Sequence, residues 1–126
     1  MYDVKAKKQL FARNENDVLP LASVTKIMTA VTALSFIPET AFVTIDTEAM
    51  RAEGSSGLKV GERWLLRDLL KFTLIESSND GASAVASAGG GILAFGAQSG
   101  DENRSLFLKE MNTLAQSIGL RSTRFL

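Results

Sequence analysis

Apolar and polar positions along the chain recur with two periods. Short runs at Tyr2–Ala6 and Gln9–Arg13 flank Lys7-Lys8 and predict a β-hairpin. Polar residues from Asn14 to Asp17 read as a turn, and Pro20 closes that loop. From Ser23 to about Leu34 the period becomes helical, with Ile27, Met28, Val31 and Leu34 on one side, and Pro38 ends the segment. Phe42–Ile45 predicts a short strand, and Ala52 to Gly61 a loop rich in Gly and Ser. Trp64 to Ile75 is helical again. Leu66, Leu69, Leu70 and Leu74 form its apolar stripe, while Arg67, Asp68 and Lys71 mark its wet side.

Asn79 to about Ala88 is a run of small residues suited to a helix packed tightly on all sides. Gly89-Gly90-Gly91 is expected to end or kink it, since glycine costs about 1 kcal/mol per helical position. The glycine-rich stretch Gly89 to Asn103 then reads as a surface insertion sooner than as a substrate-contacting loop. Asp101 to Asn103 can cap a last helix whose Phe107, Met111, Leu114 and Ile118 face the core and whose C′ residue is Gly119. Thr123 to Leu126 looks like the start of a strand. The uncharged run Gly81 to Ala97 falls short of the roughly 20 apolar residues that a membrane-spanning helix needs. The N-terminus lacks the basic and apolar regions of a signal peptide. No internal repeat or linker divides the chain.

Composition narrows the chemistry. The chain has 126 residues, with 14 basic and 14 acidic side chains, and 45% of them are hydrophobic. That suits one globular domain or part of one. A net charge of zero argues against nucleic acid as the main partner. Cysteine and histidine are both absent, which excludes disulfides, thiolate or imidazole metal sites, and a serine–histidine–acid triad. Any base working near neutral pH has to be Lys, Asp, Glu or Tyr.

Ser23-Val-Thr-Lys26 offers such a base. Residues three apart share one helical face, so this hydroxyl and amine can meet. Burial and the positive end of a helix both favour the uncharged amine that could take the serine proton. The quartet alone is weak: with twelve serines and seven lysines, about 0.7 occurrences arise by chance. A decoy, Ser56-Gly-Leu-Lys59, lies in the glycine-rich loop. A bland reading makes Ser23 an N-cap or first-turn serine with Lys26 a solvated neighbour. Ser77-Ser78-Asn79, between two predicted helices, reads either as a cap for the second or as a rigid platform for catalytic groups.

The stretch Leu19 to Ala30, followed by Leu74 to Ala82, resembles the low-molecular-weight penicillin-binding proteins, and more narrowly the serine-type D-alanyl-D-alanine carboxypeptidases. Further similarity runs through Tyr2-Asp-Val-Lys5, Leu10 to Asn14, Gly57 to Trp64, Met111-Asn112 and Leu120, in the family's order. The resemblance implies an α/β (α+β) fold of the β-lactamase and penicillin-binding-protein type. It also implies catalytic roles for Ser23 as nucleophile, Lys26 as base and Ser77 as proton relay to the leaving D-alanine. Asn79 would bind the substrate backbone. No metal or cofactor is expected. The implied partners are a peptidoglycan peptide ending in D-Ala-D-Ala and β-lactams as inhibitors, with action outside the cytoplasmic membrane.

The family's third motif, Lys-Thr-Gly on a strand, is absent, and Lys59-Val-Gly61 does not replace it. Residues 1–126 are therefore expected to be the helical, active-site part of a catalytic domain, lacking C-terminal strands. The hairpin would then have no sheet to join, leaving an uncovered apolar face, poor stability and little activity in the isolated chain. Three other readings remain. One is a class A β-lactamase, whose second motif usually has Asp where Ser78 stands. The others are a non-catalytic cell-wall-peptide or penicillin-binding module, and a helical interaction domain with coincidental motifs.

Overall fold

The computed structural model describes residues 1–15, 17–54, 56–95 and 99–126. Strands β1 (Tyr2–Asp3) and β2 (Lys8–Gln9) form the expected hairpin, with Tyr2 opposite Gln9. Its turn lies at Val4–Lys7, where Lys7 takes a left-handed φ of 49°, and Lys8 belongs to a strand. Helix α1 (Thr25–Phe36) begins two residues after Ser23. Strands β3 (Phe42–Thr44) and β4 (Arg63–Leu65) pair antiparallel, with Val43 opposite Trp64, so the segment expected to be wholly helical opens with a strand. A short 3₁₀ turn (Ala49–Arg51) and helices α2 (Leu66–Ile75), α3 (Asn79–Leu93) and α4 (Gly100–Ser117) complete the described elements.

Helix α3 is the hub, packing on α1, α2, α4 and β3. Its small side chains allow this, and the same need overturns the expected break at Gly89–Gly91, because α3 runs straight through all three glycines. An ideal Cβ on Gly89 would lie 2.5 Å from the Phe107 ring, and one on Gly90 only 1.7 Å from the Asn103 carbonyl oxygen. The glycines mark the closest approach of α3 to α4, and the packing gained there outweighs their poor helix propensity. The expected insertion at 89–103 is thus mostly helix, and its residues 96–98 lie outside the described set.

Helix α4 is capped by Ser99 rather than by residues 101–103. The Ser99 hydroxyl accepts the Glu102 N–H, while Glu102 accepts the Ser99 N–H, a reciprocal capping box. It ends as expected. Gly119 sits at C′ with φ of 89°, and Leu120 N–H reaches Ala115 O in the 6→1 bond of a Schellman ending. The tail does not form the expected strand. Asn112 instead accepts from Phe125 N–H and donates to Phe125 O, both at 2.9 Å, and so holds Phe125 against the core.

Val43, Ile45, Leu66, Leu69, Val85, Phe107 and Met111 fill the interior. Of the stripe expected on α1, Met28 is buried, but the other three face outward: Ile27, Val31 and Leu34 are 58%, 46% and 49% exposed. The inward face of α1 carries Lys26, Met28, Thr29, Ala30, Thr32 and Ala33, mostly small residues that let it approach α3 and α4. The outward stripe and the two-stranded hairpin leave apolar surface open among the described residues. No described helix is long and apolar enough to cross a membrane.

Candidate active site

Ser23 sits in a tight turn leading into α1. Three successive i→i+3 bonds wind this turn: Thr25 N–H to Ala22 O, Lys26 N–H to Ser23 O and Ile27 N–H to Val24 O, each at 3.1 Å. The position expected to be helical is therefore a 3₁₀-like entry, but it still carries Ser23 and Lys26 on one side. The N-cap position falls on Val24, with no side-chain cap, so the bland reading of Ser23 as a capping residue fails.

The Ser23 hydroxyl meets two other groups. Lys26 Nζ donates to Ser23 Oγ at 3.4 Å, at the long end of a hydrogen bond. Ser77 Oγ donates to Ser23 Oγ at 2.7 Å, across 54 residues of sequence. Lys26 is only 8% exposed, and among the described residues no carboxylate forms a salt bridge with its amine. Ser23 and Ser77 are exposed, so the buried amine lies behind two hydroxyls that solvent and a ligand can reach. Among the described residues, the Ser23 backbone N–H donates to no protein acceptor, leaving it free for an oxygen of a bound molecule.

Ser77 owes its position to the end of α2. It occupies the C′ position with φ of 54°, and Ser78 N–H bonds to Thr73 O at 3.1 Å, the same 6→1 bond that Gly119 allows in α4. Glycine is the usual residue here, because a left-handed conformation costs other residues about 1–2 kcal/mol. Strain of this kind gathers at functional sites. Ser77→Gly is therefore expected to leave thermal stability unchanged or raise it by up to about 1 kcal/mol, since glycine loses more entropy on folding. Thermal denaturation of the two chains measures this.

The rest of the predicted corner is more structural. Ser78 is buried and caps α3, its hydroxyl accepting Gly81 N–H at 2.8 Å. Asn79 is exposed, and its Nδ2 donates to Glu53 O at 2.7 Å. A carbonyl can only accept, which fixes the amide orientation and leaves Oδ1 and the second N–H for other partners. The structure thus joins Ser23, Lys26 and Ser77 directly and places Asn79 two residues beyond Ser77. The decoy Ser56 bonds to Ser78 and Asp80 and is tied up in the fold. Sequence reasoning missed Glu53, Ser56 and Asp80 as supports, for no local pattern links that loop to residues 78–80. A cleft of about 990 Å³ lies between Asp17–Ala22 and the 119–126 tail and does not include the Ser23–Lys26–Ser77 group. No described cluster of acidic residues could hold a metal.

The family model described as D-alanyl-D-alanine carboxypeptidase, peptidase S11, matches residues 1–126. A D-alanyl-D-alanine endopeptidase of Pseudomonas aeruginosa is 32% identical over 98% of this chain, which covers 37% of that relative. The D-alanyl-D-alanine carboxypeptidase DacF of Bacillus subtilis is 32% identical over 94% of this chain, which covers 29% of it. The crystal structure of the Streptomyces K15 DD-transpeptidase matches with a TM-score of 0.70 at 30% identity, over 83% of this chain and 41% of that one. The chain thus spans well under half the length of these relatives, and the expected penicillin-binding-protein type of fold is present as its helical part. With the family match running along the whole sequence, this chain belongs to the D-alanyl-D-alanine carboxypeptidase family.

Proposed function

We propose that residues 1–126 form the nucleophile-bearing part of a serine D-alanyl-D-alanine carboxypeptidase domain. Ser23 Oγ attacks the carbonyl of the penultimate D-alanine of a peptidoglycan stem peptide, and Lys26 Nζ takes the hydroxyl proton. The tetrahedral oxyanion meets the free Ser23 N–H. As the C–N bond breaks, Ser77 gives its proton to the departing D-alanine amine and regains one from Lys26, leaving an ester on Ser23 and returning Lys26 to its starting state. Water then hydrolyses the ester and releases the shortened peptide. Asn79 offers its free amide groups to the substrate backbone. A β-lactam presents a strained amide in place of the D-Ala-D-Ala bond and acylates the same oxygen. This substrate lies outside the cytoplasmic membrane, where the protein would act.

The observation that carries this reading is the convergence of Lys26 Nζ and Ser77 Oγ on one exposed serine oxygen, 3.4 and 2.7 Å away. A histidine-free chain has few other ways to activate a hydroxyl. The test is to incubate the chain with a penicillin, digest it with trypsin and locate the adduct by mass. An adduct on the peptide from Asn14 to Lys26, which contains Ser23, is expected. An adduct on the peptide from Ala52 to Lys59, which contains Ser56, or none anywhere, would refute the assignment.

A further inference from the structure

Three consecutive residues after Ser77 all bond to Glu53 or Ser56. The Ser78 hydroxyl lies 2.7 Å from the Ser56 hydroxyl. Asn79 Nδ2 donates to Glu53 O at 2.7 Å. Asp80 Oδ2 accepts both the Ser56 N–H at 3.1 Å and the Ser56 hydroxyl at 3.0 Å. Asp80 is 1% exposed, and burying an acidic side chain that deeply is costly unless it is bonded. Its place in the first turn of α3, where partial positive charge collects, offsets part of that cost. The proposed acyl transfer makes no use of Asp80 or Ser56.

Their position explains them. Ser77 holds a left-handed backbone that persists only where the surroundings over-determine it. Its N-terminal side is fixed by the end of α2, where Glu76 N–H bonds to Phe72 O, and Ser78 N–H reaches back across it to Thr73 O. Its C-terminal side depends on residues 78–80, and these are fixed by α3 and by the loop. We infer that Asp80 and Ser56 form a clamp that positions Ser77 and Asn79 for reaction at Ser23. Neither of the two touches substrate. The inference rests on the proposed acyl transfer for its purpose, but the clamp itself has a separate readout.

Two measurements on the full chain test it, using Ser56→Ala, Ser56→Thr and Asp80→Asn. Amide hydrogen exchange reads the clamp. Ser56→Ala is expected to speed exchange about tenfold both at Glu53, residue 56 and Gly57 and at 77–79, with α4 unchanged as the sign of an intact fold. Stopped-flow acylation by a fluorescent penicillin reads the purpose. Ser56→Ala is expected to slow the acylation step by about 10- to 100-fold, the cost of a misplaced group, while the dissociation constant of the preceding complex stays within about twofold. Ser56→Thr keeps the hydroxyl and should restore both readouts. Asp80→Asn keeps one accepting oxygen and should fall between. Wild-type exchange at 77–79 in Ser56→Ala overturns the clamp. Faster exchange with unchanged acylation overturns its positioning role. A wild-type chain that takes up no penicillin refutes the proposed function, and the exchange data then decide the clamp by themselves.

Discussion

Gly90→Ala is expected to cost at least about 3 kcal/mol. The new methyl would lie 1.7 Å from the Asn103 carbonyl oxygen and 2.6 Å from its Cα, so backbone, not a mobile side chain, blocks it. Relief requires α4 to move away from α3 and to open the contacts of Phe107 and Met111, both almost fully buried. Overpacking in a core typically costs 1–3 kcal/mol, and a rigid backbone neighbour puts this case at or above the top of that range. The adjacent residue supplies the control. A Cβ on Gly91 would stand 3.4 Å from Asn103 Nδ2, an ordinary contact. Gly91→Ala is thus expected to stabilise by up to about 1 kcal/mol through helix propensity alone. Urea unfolding of both variants measures the contrast, and equal midpoints would show that the glycines serve only as weak helix positions.

That contrast also shows where sequence reasoning reaches its limit. Signals contained within a few residues were legible: the hairpin at Tyr2–Gln9, the Leu66–Leu69–Leu70 stripe of α2, and Gly119 ending α4. Gly89–Gly91 was misread because propensity is local, whereas its answer lies at Asn103 and Phe107. The same holds for the tail, where Asn112 stands in for a strand partner to Phe125. On α1, apolar spacing marked Ile27, Val31 and Leu34, but the face that packs closely against α3 carries alanines and threonines.

The candidate site divides similarly. Ser23 and Lys26 are neighbours by helical spacing, and that pair was legible. Ser77 reaches Ser23 across 54 residues, a meeting that spacing cannot reveal and that only the likeness to a known family suggested. Its left-handed backbone was also hidden, because serine gives no sign of a conformation that glycine would advertise. Ser56 attracted notice only as a false nucleophile, yet its hydroxyl is engaged with Ser78 and Asp80.

Replacing Lys26 by arginine separates the two jobs a buried cation can do beside a serine. If Lys26 serves as a base, it must give up and regain a proton, which a guanidinium cannot do at any accessible pH. Lys26→Arg and Lys26→Met should then both slow penicillin acylation by about 10²- to 10⁴-fold, the usual worth of a general base. If the amine only orients Ser23 or attracts an anionic ligand, arginine keeps the charge and should retain far more activity than methionine. Folding does not blur the comparison for methionine, since exchanging a buried amine for an apolar side chain of similar length is often neutral or stabilising. Ser23→Ala sets the floor: the residue is exposed, so stability should stay within about 0.5 kcal/mol while the adduct disappears. Arginine and methionine falling together toward that floor would assign Lys26 the proton transfer. Arginine holding near wild type would leave its charge as its contribution, and the activation of Ser23 would then pass to Ser77, the other group that touches its oxygen.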